Sequence, residues 1–180
     1  LNGPGHGYHV GDKAEDFKLK NVDGKMVSLS DIPKAKGYIV VFTCNTCPYA
    51  KAYEQRIIDL HNKYASKGYS VVAINPNDKD VKPDDSYENM QILAKEKKYP
   101  FVYLYDETQD VAKRFGATRT PHVYLLDADK TVRYIGAIDD NSEDAAAVQA
   151  KYVENAIDAM SAGKTIATPE TKAIGCSIKW

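Results

Sequence analysis

Apolar positions along the chain switch between two spacings. Phe17 and Leu19 alternate with polar residues, Asp23-Gly24 makes a turn, and Met26-Val27-Ser28-Leu29 follows, which predicts a small N-terminal hairpin. The short, branched run from Tyr38 to Phe42 predicts a buried parallel strand. Tyr49, Tyr53, Ile57, Leu60 and Tyr64 are then spaced as one face of a helix from Pro48 to about Ser66, with Gly68 as its stop. Tyr69 to Ile74 is a second buried strand. A polar, Pro-containing loop over 75–85 ends at the cap candidates Asp85 and Ser86, and a helix to about Lys98 follows. Phe101–Tyr105 predicts a third strand, and Thr108–Phe115 a short helix ended by Gly116. Val123–Leu126 and Thr131–Ile135 form a hairpin around Asp127-Ala128-Asp129-Lys130. A last helix is expected from Ser142 to Met160, with Val153, Ala156, Ile157 and Met160 inward and Gly163 at its end.

Strands linked through helices imply parallel pairs with right-handed crossovers, whereas the late hairpin must be antiparallel. The fold class is therefore α/β, a mixed central sheet flanked by helices, with the hairpin as an N-terminal extension.

Composition narrows the function classes. The chain has 180 residues, 43% hydrophobic and 27% charged, as for one soluble domain with a full core. A formal net charge of −1 points to neither nucleic acid nor anionic membrane. No apolar stretch approaches a membrane span. Three cysteines are too few for a disulfide scaffold. The thirteen tyrosines read as packing residues, a few of which could line a groove. Residues 1–10, with Gly3-Pro4-Gly5-His6-Gly7, read as a disordered lead or a cloning remnant, ahead of a domain over 11–163 and a packed tail over 164–180. A cleaved signal peptide would leave such a start, so the expected location leans to the bacterial periplasm or cell envelope, with the cytoplasm as the alternative.

The chemistry sits in Phe42-Thr43-Cys44-Asn45-Thr46-Cys47-Pro48. A C-x-x-C between an apolar strand and an amphipathic helix is a redox arrangement. Pro48 fits the first helical turn, and the free N–H groups there favour a thiolate at Cys44. Cys47 lies about one turn further on, near enough to close a disulfide with it. The competing reading is half a zinc site. The other ligand candidates are Cys176, His6, His9, His61 and His122, and only His6 and His9 are neighbours, in a Gly-rich stretch. Thr118-Arg119-Thr120-Pro121 opens the late strand, either as plain strand initiation or as a cis-proline facing the cysteines.

With these residues in place, the chain resembles a thioredoxin-fold redoxin. It is similar to TlpA-like thiol-disulfide oxidoreductases and to the peroxiredoxin-like C-x-x-C branch of the alkyl hydroperoxide reductase/thiol-specific antioxidant family. Gly11-Asp12-Lys13-Ala14-Glu15-Asp16-Phe17, Asp23-Gly24-Lys25, the cysteine motif, Gly116-Ala117-Thr118-Arg119-Thr120-Pro121, Tyr124-Leu125-Leu126-Asp127 and the closing Gly175-Cys176-Ser177-Ile178-Lys179-Trp180 carry the likeness, from about residue 9 to the end. The resemblance implies that Pro121 is cis and that Thr120 offers its backbone to a substrate strand beside Thr43, Asn45 and Thr46. It implies that Cys44 attacks a substrate disulfide and Cys47 resolves the mixed disulfide. No cofactor and no metal is implied; the partners are protein thiols or disulfides and an unidentified redox protein, and the chain is expected to be a monomer.

Several positions depart from the family pattern. Thr43 stands where thioredoxin has Trp, and Asn45-Thr46 replaces Gly-Pro; both polar side chains are expected to donate to Cys44 and lower its pKa. The strand before the motif has no acid to accept a proton, which leaves Glu54 as a weak candidate against a plain solvated charge. A thiol peroxidase, the first alternative, needs P-x-x-x-T/S-x-x-C; Gly37 and Val41 hold those places before Cys44, and Val40 and Cys44 before Cys47. Arg114, Arg119 or Arg133 would have to come near the site. A Sco-like copper or metal carrier, the second alternative, would need C-x-x-x-C-P and a distant His; here the spacing is one residue short and His122 is the candidate. Cys176 reads as a small buried hydrophobe or a third redox thiol, and Trp180 as an anchor for the tail.

Overall fold

The structure is a computed structural model that describes residues 7–180. The expected disorder at residues 1–10 falls mostly outside that range, as does His6. Within it, Tyr8 packs edge-on against Phe115 at 4.9 Å, and its N–H donates to the Phe115 carbonyl at 2.9 Å.

Among the described residues, nine strands and four α-helices follow one another: β1 (Lys18–Asn21), β2 (Met26–Ser28), β3 (Gly37–Phe42), α1 (Pro48–Tyr64), β4 (Tyr69–Asn75), α2 (Tyr87–Glu96), β5 (Val102–Tyr105), α3 (Asp110–Phe115), β6 (Arg119–Thr120), β7 (His122–Asp127), β8 (Val132–Gly136), α4 (Tyr152–Ser161) and β9 (Cys176–Ser177). Seven strands form the central sheet in the order β2-β1-β5-β4-β3-β7-β8. β3, β4 and β5 are parallel, while β7 and β8 run antiparallel on one side and the β1–β2 hairpin on the other. This is the expected thioredoxin-like α/β arrangement with its N-terminal hairpin. β6 and β9 pair separately.

All six residues of β3 are buried, because both faces of the sheet are covered. Ile39 and Val41 point to a layer that includes Tyr53, Ile57 and Leu60 of α1 and Val153, Ala156 and Ile157 of α4. Val40 and Phe42 point to the opposite layer, built around Phe115 of α3 with Phe17, Tyr124 and Val132. The expected stripe of α1 is buried at Tyr53, Ile57, Leu60 and Tyr64, and departs only in the first turn, where Ala50 is inside and Tyr49 is exposed. Gly68 ends the 3-10 turn that follows α1, at φ 96°, where a side chain would be strained. Among the described residues no helix is long and apolar enough to cross a membrane.

The last helix is shorter than expected, starting at Tyr152 and not at Ser142. Side-chain contacts hold the backbone of the intervening segment off the α-helical course, with a single 3-10 turn at Ala145–Ala147. Arg56 donates to both Asp139 carboxylate oxygens and to the Asn141 and Ser142 carbonyls. The Asn141 amide oxygen accepts from the Glu143 and Asp144 N–H groups. Such side-chain bonds offer the chain an alternative to the helical ladder.

Phe115 is fully buried, and its ring meets Tyr8, Phe17, Phe42 and Tyr124 at centroid distances of 4.9–6.1 Å. Phe115→Ala is expected to lower unfolding stability by about 3–5 kcal/mol. Urea unfolding measures it; a loss below about 1 kcal/mol would contradict this packing.

Candidate active site

β3 and β7 are antiparallel neighbours in which Phe42 pairs with His122. The chain leaving β3 and the chain entering β7 therefore emerge at the same end of the sheet. The first carries Thr43 to Cys47, and the second carries Thr120 and Pro121. The Thr120–Pro121 peptide bond is cis, as the resemblance implied.

Thr120 is the hinge between the two loops. Its hydroxyl lies 3.4 Å from the Cys44 sulfur, and its carbonyl oxygen lies 3.6 Å from the Cys47 sulfur. The structure does not join Cys44 to Cys47. Cys47 is bonded to Cys176, 129 residues further on, and Cys44 is a free thiol only 5% exposed. The Cys47 sulfur thus has no proton to donate, and its approach to Thr120 is a contact only. Cys44, Cys47 and Ala50 pack as one cluster with Cys176 against it.

Burial pushes the Cys44 thiol above its ordinary pKa, and the negative charge of Asp85 pushes the same way. The Thr120 hydroxyl and the backbone N–H groups of Cys47 and Thr46 oppose this without overcoming it. The expected lowering by the Asn45 and Thr46 side chains is not seen. Asn45 is turned inward: its amide donates to the Asp84 carbonyl at 3.0 Å and accepts from the Tyr103 hydroxyl at 2.7 Å. The Thr46 residue is exposed, and it is its backbone that faces Cys44. Thr43 is buried, its N–H held by the Ile74 carbonyl at 2.9 Å.

Of the two cap candidates in the sequence, Ser86 caps α2, accepting from the Asn89 N–H at 3.2 Å, and Asp85 does not. Asp85, 1% exposed, instead lies under the cysteine loop. It accepts from the Asn45 N–H at 2.8 Å and from the Asn77 side chain at 2.8 Å, and its carbonyl accepts from Asn75 at 2.8 Å. A buried carboxylate needs such partners. The signal in the sequence is the polar run Asn75-Pro76-Asn77 at the end of a buried strand.

Glu54 is not a plain solvated charge and not a partner of the cysteines. It accepts from the Tyr99 hydroxyl at 2.9 Å and pairs with Lys51 and Lys97. Arg114 pairs with Glu15 and Arg133 with Asp127, while Arg119 is exposed, and none of the three is among the groups that shift Cys44. His122 accepts from the Thr118 N–H at 3.2 Å and is pushed down to about 4 by burial, with Arg119 adding to the shift. Its ring lies tilted against Tyr124, with centroids 4.9 Å apart. Among the described residues no three His, Cys, Asp or Glu side chains converge as a metal site.

The last residues complete the site. β9 pairs antiparallel with β6, with Thr120 opposite Cys176 and Arg119 opposite Ser177. Ile178 is buried, and its N–H donates to the Thr118 carbonyl at 3.1 Å. Trp180 is half exposed, with Lys113 5.8 Å above its ring.

Known proteins share this fold. A crystal structure of an uncharacterized conserved protein from Geobacillus kaustophilus matches with TM-score 0.89 and 41% identity, covering 96% of this chain and 92% of that one. A hypothetical protein from Sinorhizobium meliloti matches with TM-score 0.90 and 32% identity, covering 97% and 96%. Thiol-disulfide oxidoreductase ResA from Oceanobacillus iheyensis is 35% identical over 123 residues, which is 66% of this chain and 60% of that protein. The chain thus spans about three-fifths of the length of this curated relative. Residues 10–135 match the AhpC/TSA family, and that stretch holds the cysteine pair, Asp85 and the cis-proline loop. The chain belongs to the AhpC/TSA family.

Proposed function

We propose that this chain is a thiol-disulfide oxidoreductase acting on protein disulfides or dithiols through Cys44 and Cys47. One observation carries the reading: Thr120, next to the cis-proline, touches both sulfurs while its backbone pairs with an extended strand. An extended peptide seated on that edge lies alongside Cys44. The similarity to ResA, named a thiol-disulfide oxidoreductase, supports the same activity.

In the reducing direction Cys44 loses its proton and its sulfur attacks one sulfur of a substrate disulfide. The other substrate sulfur leaves with the electron pair. Cys47, as a thiolate, then attacks Cys44, which closes the Cys44–Cys47 disulfide and releases the substrate as a dithiol. The oxidising direction is the reverse. The Thr120 hydroxyl and the Cys47 and Thr46 N–H groups stabilise the Cys44 thiolate when it forms. A compartment that permits disulfides, of which the bacterial envelope is one, suits this chemistry.

Insulin, with dithiothreitol as electron donor, serves as a protein disulfide substrate. Cys44→Ser and Cys47→Ser are each expected to reduce insulin turnover to background, and Cys47→Ser should accumulate a mixed disulfide at Cys44. Turnover retained by Cys44→Ser would rule the mechanism out. Asp85→Asn removes a negative charge beside Cys44, so the thiolate should form more readily. The pH profile of Cys44 alkylation should move to lower pH than in the unaltered protein. An unmoved or upward-shifted profile would contradict the role given to Asp85.

A further inference from the structure

The cysteine pair accounts for Cys44 and Cys47 but not for where Cys176 stands. β6 is two residues long, and among the described residues it pairs with no strand of the main sheet and with β9 alone. The chain's own tail therefore takes the place that an extended peptide would take. It is seated closely. A side chain at Gly175 would meet the Thr120 carbonyl oxygen at 2.3 Å, so only glycine lets the tail backbone come this near the cis-proline loop. Beyond the disulfide, Lys179 holds the tail by its backbone. Its N–H donates to the Asn77 side chain at 2.9 Å, and its carbonyl accepts from the Asp78 N–H and the Gln109 amide, each at 2.8 Å. Asn77 also donates to Asp85, so the same side chain supports both the cysteine loop and the tail.

We propose that Cys176 is a third redox cysteine and that its strand closes the peptide groove, the disulfide alternating between Cys44–Cys47 with the groove open and Cys47–Cys176 with it closed. This rests on the reading of the groove as a thiol-disulfide exchange site. The step is an isomerisation and needs no outside oxidant or reductant. Cys44 gives up its proton and its sulfur attacks the Cys47 sulfur; the Cys47–Cys176 bond breaks as the Cys44–Cys47 bond forms. The electron pair leaves on Cys176, which takes up the proton. In reverse, the Cys176 thiolate attacks Cys47 and Cys44 is released as a thiol. In the closed form Cys44 is buried with a raised pKa, which makes it a poor nucleophile, and a peptide cannot reach β6. Cys176 is less buried than Cys44 or Cys47, so in the closed form it is the sulfur nearest an outside thiol. A dithiol donor that attacks Cys176 releases the Cys47 thiolate. The donor's second thiol then resolves the mixed disulfide, and the donor leaves oxidised while Cys47 and Cys176 are reduced.

The test uses the whole chain, oxidised with glutathione disulfide, alkylated and mapped by mass spectrometry without reduction. The unaltered protein is expected to yield the Cys47–Cys176 peptide with alkylated Cys44. Cys176→Ser, treated alike, is expected to yield the Cys44–Cys47 peptide with Cys44 protected. Cys44–Cys47 alone in the unaltered protein, with Cys176 alkylated, would overturn this inference and leave the oxidoreductase reading standing. Free Cys44 and Cys47 in oxidised Cys176→Ser would overturn both. A second readout needs no variant, because Trp180 is the single tryptophan and sits on the tail. It is 50% exposed in the closed form, so acrylamide quenching should rise about twofold on reduction as the tail leaves. Quenching unchanged on reduction would overturn closure of the groove.

Discussion

The pairing of Phe42 with His122 fixes everything that happens at the sulfurs. β3 and β7 are central, buried on both faces and antiparallel, so their ends cannot slip without exposing apolar side chains. Cys44 stands two residues beyond the end of one strand, and Pro121 stands just before the start of the other. Between them, the Thr120 hydroxyl and carbonyl each face a different sulfur. Register in the core thereby becomes geometry at the site.

A buried charge holds the cysteine loop against that frame. Asp85 reaches the Asn45 backbone across 40 residues of sequence, and its other carboxylate oxygen takes the Asn77 amide. Taking a carboxylate out of water is costly, and these hydrogen bonds offset the cost. After burial, which is the larger cause, the same charge raises the Cys44 pKa. A group that orders the loop therefore also restrains the nucleophile within it. The loop's N–H groups and the Thr120 hydroxyl work in the opposite sense.

The buried strands, the first helix and the cysteine motif were legible because each depends on residues adjacent in sequence. Tyr38–Phe42 reads as a strand covered on both faces, and Pro48 marks a helix start, wherever the rest of the chain goes. The cis-proline was legible only through family resemblance. The missing parts depend on contacts made over long sequence distances. Nothing near Asp85 distinguishes a cap from a buried support, and its partner Asn45 lies on another element. The Cys47–Cys176 bond joins residues 129 apart, and spacing cannot choose among the pairings of three cysteines. The late start of α4 follows from Arg56, which reaches Asp139, Asn141 and Ser142 from another helix.

The central claim is that Cys44 and Cys47 exchange a disulfide with other thiols. Equilibration of the protein in glutathione buffers of graded ratio, with trapped thiols counted by mass, tests it most directly. A reversible dithiol–disulfide transition that is lost in Cys47→Ser is expected. Its midpoint sets the direction of the reaction: near thioredoxin's potential, about −270 mV, for a reductant, or near that of a strong oxidant, about −120 mV, for a disulfide donor. Thiols that stay reduced across the whole range of buffers would contradict the account.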